Sequence, residues 1–293
     1  MEPDYVKLRE IKPVLSGYIR EALTLVDSKP HPDEKTVHDI RVLMKKSRAV
    51  MRLIGSQLYK EAYTRNFGAF KDVGRLMNFS REASVHRKTV KQLKKIYPGV
   101  FNGLDPDERI MRILQKENPV IVDDPDAGRS LSEINQLLTK AGYRIRFESL
   151  NNLDPGLLLK ELNKTYKSAA KKYLICRNKH KPELIHEFRK RAKDFLYQLY
   201  FFRPLNPSVV KSVEKKLDSM TQNLGKYNDL TQLIGILDYK YSGTESNSAM
   251  DELIITIRDE QDRYLSKVWP VAHKLLKPGL PLVNLLGFKL LLI

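Results

Sequence analysis

Two segments of this chain carry basic side chains at helical spacing, and each series begins with a histidine. The first basic stripe comprises His38, Arg41, Lys45, Arg48 and Arg52, and the second comprises His186, Arg189 and Lys193. Steps of three and four residues place the members of each stripe on one face of a helix. Because like charges on one face repel, a fold tolerates such a face most readily where an anion occupies it. The pattern therefore predicts helices that form a duplicated anion site.

The basic face of each segment is separate from its apolar face. At about 100° per residue, the cations of the first stripe lie within roughly 80° of His38, and an apolar cluster is centred roughly 140° away. That cluster contains Ile40, Leu43, Met44, Ser47, Val50, Met51 and Ile54. The second segment has an apolar face of Phe188, Ala192, Phe195, Leu199 and Phe202, with Tyr197 and Tyr200 on the side of His186. The core is therefore expected on one side of each helix and the cations on the other.

Helical periodicity runs along most of the chain, and the alternation typical of strands is nearly absent. It predicts helices over residues 4–27, 33–54, 57–78, 80–97, 156–177, 182–202, 207–224, 227–241 and 247–276. Residues 98–155 are rich in Pro, Gly, Asp and Asn, which predicts an irregular connector with short helices near 107–115 and 130–140. The expected organisation is a single domain with a first helical subdomain (1–97), this connector and a second helical subdomain (156–293).

A repeat accounts for the two helical regions. His186 follows His38 by 148 residues, and Asn228 follows Arg81 by 147. Two landmarks with nearly the same offset indicate an internal duplication, and thus two related helical subdomains.

The charge of the chain favours an anionic partner. Its 52 Lys and Arg against 35 Asp and Glu give a net charge of +17, which suits nucleic acid, a polyphosphate or an acidic membrane surface. A single cysteine, Cys176, excludes a disulfide framework and a thiolate zinc site. The sequence has neither a signal-peptide pattern nor an apolar run long enough to span a bilayer, so we expect a cytoplasmic protein. The apolar tail, residues 280–293, is expected to pack on the protein itself or on a dimer partner, with membrane contact less favoured.

Four blocks of sequence resemble one known family. Their order and spacing resemble those of the CHAD family, the conserved histidine alpha-helical domain. The blocks are HDIRVLMKKSRAVMR (38–52), Arg81 with Glu82, HEFRKRAKDFLY (186–197) and LGKYNDL (224–230). The resemblance covers nearly the whole chain. It implies an all-α fold of two four-helix bundles related by a pseudo-twofold axis, with basic helices facing a central groove or pore. The chain departs from the family pattern at Glu82, where Asp is usual, and at Asn228, where Arg is more frequent.

The resemblance further implies binding of inorganic polyphosphate rather than catalysis. Targeting to polyphosphate granules is one role that such binding would serve. We expect no catalytic residue, metal or cofactor. The predicted polyphosphate-binding residues combine the two stripes with neighbouring polar groups: His38, Arg41, Lys45, Arg48, Arg52, Lys71, Arg75, Arg81, His186, Arg189, Lys190, Lys193, Tyr197, Lys215, Lys216, Lys226 and Asn228. Glu82 and Asp229 are expected near helix starts, where they would cap a helix or orient a cation. Nearby cations should lower the pKa of a stripe histidine and a bound phosphate should raise it, so binding should tighten at mildly acidic pH.

Three alternatives stay open. Nucleic-acid binding suits the charge, although the chain has no helix-turn-helix, zinc-finger or RNP-type motif. The pair His38 and Asp39 superficially resembles that of the HD phosphohydrolases, but a divalent metal there would meet the cations of the first stripe. An acidic-membrane adaptor that uses the apolar tail is the weakest alternative. The sequence leaves the oligomeric state open.

Overall fold

The computed structural model describes residues 8–28, 32–77, 79–102, 125–241 and 248–288. Every regular element within these ranges is helical, which confirms the all-α prediction. The α-helices are α1 (Ile11–Asp27), α2 (Glu34–Ile54), α3 (Lys60–Leu76), α4 (Phe79–Ile96), α5 (Pro98–Asn102), α6 (Pro125–Phe147), α7 (Pro155–Asn178), α8 (Pro182–Leu199), α9 (Pro207–Tyr241), α10 (Ser248–Leu276) and α11 (Leu282–Leu286). Short 3₁₀ turns, Gly55–Gln57 and Tyr200–Leu205, directly follow α2 and α8.

Local sequence defines the first turns of the helices that matter most. The Asp33 side chain accepts a hydrogen bond from the backbone N–H of Thr36 (2.8 Å) and so caps α2. The histidine-bearing helix of the second half, α8, begins with Pro182, whose fixed φ suits a first helical turn. Thus α2 and α8 both begin four residues before their histidine, and the two stripes have the same register within their helices.

The helices form two closed sets. In the first, α1 and α3 each pack against α2 and α6; in the second, α7 and α9 each pack against α8 and α10. The sets meet where α2 packs against α7 and α8, and a single hydrophobic cluster runs through both. At this contact the buried Gln198 side chain of α8 donates to the backbone carbonyl of Ala49 in α2 (2.9 Å).

The predicted apolar faces are confirmed. All seven predicted residues of α2 are buried, and so are all five predicted for α8 and the turn after it. The cations of the first stripe are partly exposed on the opposite side of α2, and His38 is exposed. Packing thus turns one face of each histidine helix into the common core and leaves its basic face accessible.

The segment 98–155 differs from the predicted irregular connector. Residues Pro125–Phe147 form α6, which is longer than the predicted helix at 130–140 and packs against α1 and α3. Its buried residues, Ile134, Leu138, Ala141 and Ile145, recur at steps of four and three, which outweighs the Pro and Gly content around them. Helix α4 packs instead against α2, α5 and α9, so the four helices predicted within residues 1–97 do not form one closed set. The helix predicted near 107–115 lies outside the described residues.

Helix α9 is continuous where two helices, 207–224 and 227–241, were predicted. It runs for 35 residues through Gly225. A Cβ atom at Gly225 would lie 3.1 Å from Nη2 and 3.3 Å from Nε of Arg189. The glycine therefore permits close approach of a neighbouring side chain and does not break the helix.

The apolar tail packs on the protein itself as far as residue 288, as one of the two expected arrangements has it. The Tyr166 hydroxyl donates to the carbonyl of Leu280 (2.8 Å), and Leu282 and Leu286 of α11 are buried. Residues 289–293 lie outside the described part of the chain. Within the described ranges, no helix has the length and apolar character needed to cross a bilayer.

Replacing Leu138 with Ala tests whether α6 is part of the core. Leu138 is fully buried, so its truncation should lower the free energy of unfolding by about 2–5 kcal/mol, measured by urea denaturation. Gln136 lies on the exposed face of the same helix, and Gln136→Ala should change stability by no more than about 0.5 kcal/mol. Equal, small effects would contradict the packing of α6 and restore the connector interpretation.

Candidate functional site

An open cavity of about 840 Å³ lies between α2, α8 and α9, with one residue contributed by α4. Both histidines and all the cations of the two basic stripes line it. Of the predicted site residues it brings together His38, Arg41, Lys45, Arg48, Arg52, His186, Arg189, Lys190, Lys193, Tyr197 and Asn228. The two stripes, which are distant in sequence, therefore face one cavity.

Five predicted residues lie elsewhere. Lys71 and Lys215 are exposed away from the cavity lining, and Arg75 is also exposed, 3.4 Å from a carboxylate oxygen of Asp72. Lys216 lines a different cavity, near the apolar tail, and Lys226 lies over the ring of Tyr264. They were selected by charge and sequence proximity, without a test of which helix face they occupy.

The predicted pair of the first half, Arg81 and Glu82, can be located only in part. Arg81 and Glu82 belong to α4, but their side chains lie outside the described residues. Their counterparts Asn228 and Asp229 line the cavity. Asp229 is in the interior of α9, so the expectation that it lies near a helix start is wrong, because α9 continues through Gly225.

Sequence reasoning missed several polar residues of the cavity, above all its carboxylates. Asp194 and Asp218 line it together with Arg191, Thr221, Gln222 and Gln232. With Asp229, the described part of the lining has three carboxylates and eight Lys and Arg. Asp194 follows His186 by eight residues, which places it about 80° from the histidine on the helix. The helical angle could have revealed it, but the second stripe was defined by its cations alone.

Two of these carboxylates, Asp194 and Asp218, are engaged by cations. Asp194 Oδ1 is 3.1 Å from Nη1 of Arg52, and its Oδ2 is 3.2 Å from Nη1 of Arg191. Asp218 accepts a hydrogen bond from Lys193 (3.0 Å). The lining thus keeps an excess of positive charge, and its chemistry is that of anion coordination.

His186 is oriented by Asn228. Its Nδ1–H donates to Oδ1 of Asn228 (2.7 Å), so Nε2 is the ring nitrogen that gains a proton when the imidazole becomes charged. Burial lowers the pKa of His186 below its usual 6.5, with Lys190 and Arg189 adding to the effect and the Asn228 hydrogen bond opposing it. The ring is therefore uncharged at neutral pH. It becomes a cation when the pH falls below this lowered pKa or when a nearby anion raises the pKa.

Two arginines at equivalent positions of the stripes are held against the next helix. Arg41 Nη1 donates to the carbonyl of Gly74 in α3 (2.6 Å), and Arg189 lies against Gly225 in α9. Burial, followed by the nearby Arg52, lowers the pKa of Arg48, while Asp194 raises it. An arginine keeps its charge under such a shift of pKa, so Arg41, Arg48 and Arg189 are cations in a partly desolvated wall of the cavity.

Among the described residues, Tyr197 is the one Phe, Tyr or Trp that lines the cavity. Burial raises the pKa of Tyr197 to about 12, and Nζ of Lys193 is 5.5 Å from the centroid of its ring. Tyr200, on the same helical arc, does not line the cavity and stacks instead with Arg9 and Arg203. Among the described residues, no group of three or more His, Cys, Asp and Glu is arranged to hold a metal ion.

Comparison with known proteins agrees with this architecture. A family model described as the CHAD domain matches residues 19–238. Among solved structures, the CHAD domain from the plant Ricinus communis is similar with a TM-score of 0.60 and 17% sequence identity, over 97% of this chain and 93% of that chain. At that identity the likeness is one of fold. No curated protein matches the chain.

Two substitutions should move the pKa of His186 in opposite directions. Lys190→Gln removes a charge that lowers it, so the pKa should rise; Asn228→Ala removes a hydrogen bond that raises it, so the pKa should fall. The measurement is an NMR titration of the imidazole resonances. Asn223→Ala, on the same helix but outside the cavity lining, should leave the pKa unchanged. Shifts of the same sign for the Lys190 and Asn228 variants would contradict the described surroundings of the ring.

Proposed function

Because the chain belongs to the CHAD domain family, we propose that it binds inorganic polyphosphate, without cleaving it, in the cavity between α2, α8 and α9. The observation that supports this most directly is that both basic stripes line the same cavity. Eight Lys and Arg in one lining suit a ligand that carries many closely spaced negative charges. Binding of this kind would retain the protein at cytoplasmic polyphosphate granules.

We infer that the two closed helix sets are duplicated four-helix bundles related by a pseudo-twofold axis. Helices α2 and α8 begin 148 residues apart, the same offset as their histidines. The order of packing is also the same in both sets, since each histidine helix is second and contacts the first and third. Under this interpretation the cavity is the groove along the axis, with one stripe from each bundle.

The residue types suit a flexible polyanion. Guanidinium groups such as those of Arg41 and Arg189 bind phosphate oxygens with two parallel hydrogen bonds, and they are held in place by their own contacts. Lysines such as Lys45 and Lys190 supply mobile point charges that can follow the ligand. His186 adds a charge when phosphate favours its protonation. Binding therefore needs no base contacts and should depend on charge density.

Nucleic acid is the competing ligand class, and the cavity gives it less support. In the described part of the lining, Tyr197 is the one Phe, Tyr or Trp; it is only partly exposed, and Lys193 lies over its ring. Stacking of bases needs open aromatic faces. Labelled long-chain polyphosphate should therefore resist displacement by duplex DNA or RNA at equal phosphate concentration. Efficient displacement would favour nucleic-acid binding instead.

Three lysines of the cavity can be compared with three lysines outside it. Lys45, Lys190 and Lys193 line the cavity, and their joint replacement by Gln should weaken polyphosphate binding by at least about tenfold, because charged hydrogen bonds to phosphate are lost. Affinity is measured by fluorescence anisotropy at fixed salt. The slope of log Kd against log salt should also become shallower.

The matched control replaces Lys71, Lys215 and Lys226 with Gln. It makes the same change in residue type and net charge, but none of the three lines the cavity. Its affinity should stay within about twofold of the wild type at physiological salt, where charges beyond the Debye length are screened. Equal losses in the two triple variants would show binding to diffuse surface charge and would contradict the assignment of the cavity.

Binding should tighten as the pH falls from 8 to 6. In the free protein the pKa of His186 is lowered, and a bound phosphate raises it, so the complex takes up a proton in the interval between the two values. His186→Gln should flatten the pH profile. Folding of the free protein has the opposite pH dependence. The unfolded state binds a proton on this histidine more readily than the folded state does, so the free energy of unfolding decreases as the pH falls below the unfolded-state pKa of about 6.5. A profile unaffected by His186→Gln would contradict this role.

A further inference from the structure

Asp194 is the most deeply buried charged residue of the cavity wall. The whole residue is 9% exposed, whereas the cations around it are only partly buried. Its two carboxylate oxygens engage different arginines, Arg52 of α2 and Arg191 of α8, at 3.1 and 3.2 Å. The charge of Arg48 acts on it as well. One carboxylate of the protein therefore stands where three arginines converge, which is where an anionic ligand would be held best.

The same arginines mark the end of the cavity. Arg52 and Arg191 line both the large cavity and a smaller one of about 340 Å³, to which Lys164 also contributes. The Arg52 guanidinium is further held 4.8 Å from the centroid of the Phe67 ring. The cluster thus forms the wall between two cationic cavities, and its arginines are directed at Asp194.

At Asp194 the effect of burial outweighs that of the nearby arginines, and the pKa of the carboxyl is raised overall. Burial raises the pKa of its carboxyl, and the charges of Arg52, Arg191 and Arg48 lower it. Desolvation of a buried ion pair offsets much of its Coulomb attraction, so the pair is a weak competitor compared with a ligand that brings several charged oxygens. A guanidinium that leaves Asp194 for a phosphate must nevertheless give up its present partner. Each such exchange reduces the net gain from binding.

On the basis of the proposed function, we infer that Asp194 is an internal competitor of the ligand: it occupies Arg52 and Arg191 and so sets the affinity for polyphosphate. Removing its charge releases both guanidiniums for phosphate. The ligand then gains two charge-assisted contacts at the end of the cavity without displacing a carboxylate. Asp194 is thus an affinity-determining residue that does not itself contact the ligand.

The test compares two isosteric variants, Asp194→Asn and Asp218→Asn. Both remove one negative charge from the same cavity lining, but the Asp194 side chain is 13% exposed and the Asp218 side chain is 46% exposed. Asp218 pairs with Lys193 and also accepts a hydrogen bond from Gln222 (2.7 Å), in a better solvated position, where an ion pair contributes little. A general effect of charge would act equally in both variants. Competition for arginines acts mainly in the first.

Polyphosphate affinity is measured for both variants and the wild type by anisotropy at the same salt concentration. Asp194→Asn should bind about fivefold or more tightly than the wild type, and Asp218→Asn should change affinity by less than about twofold. Without ligand, Asp194→Asn should melt several degrees lower, because it leaves partly buried guanidiniums without a charged partner. Saturating polyphosphate should restore the melting temperature more in this variant than in the wild type.

A second substitution tests the inference if Asp194→Asn does not fold. Because Arg52 is held by the buried Asp194 and Lys193 by the better solvated Asp218, Arg52→Gln should weaken binding far less than Lys193→Gln does. Equal losses for these two variants would overturn the inference. So would equal affinities of Asp194→Asn and the wild type, or equal gains for the two Asn variants, and in each case polyphosphate binding itself would stand. Absence of binding by both the wild type and Asp194→Asn would overturn the proposed function together with the inference.

Discussion

The direct packing of α2 against α8 determines most of what this molecule can do. Each of these helices is apolar on one face and basic on another, and a shared core accepts only the apolar faces. Once both faces are buried in one hydrophobic cluster, the basic faces have little freedom in where they point. They border the same cavity although their histidines are 148 residues apart. The position of the cavity therefore follows from the way the two helices pack in the core.

Collecting eight cations in one lining is unfavourable unless the charge is moderated, and the structure moderates it in three ways. Aspartates engage some of the cations, as Asp194 does with Arg52. Backbone groups hold others, as the Gly74 carbonyl holds Arg41. His186 stays uncharged at neutral pH, because burial and nearby cations lower its pKa. The described lining nevertheless keeps an excess of positive charge, and the proposed binding of a polyanion rests on that excess.

Much of the fold and part of the site could be predicted from the sequence. The apolar faces followed from helical periodicity, since residues such as Met44 and Phe195 recur at the spacing of a buried stripe. The length of α6 could not be read from composition, because Pro and Gly content says little about a helix whose stability comes from tertiary packing. The position of Lys226 could not be read from composition either, because it depends on which face of α9 contacts Tyr264. Asp194 was missed because the second stripe was defined by its cations alone, but its pairing with Arg52, 142 residues away, could be seen only in the fold.

The contact between Arg189 and Gly225 has a consequence for how this chain can vary. A Cβ atom at position 225 would lie 3.1 Å from the guanidinium, so a larger residue there requires Arg189 to shift by a few tenths of an ångström. The order of substitutions therefore matters: a change at 189 makes a change at 225 tolerable, whereas the reverse order passes through a crowded intermediate. Among related sequences the two positions should covary. A larger residue at 225 would then indicate that the guanidinium has shifted or that the arginine has been replaced.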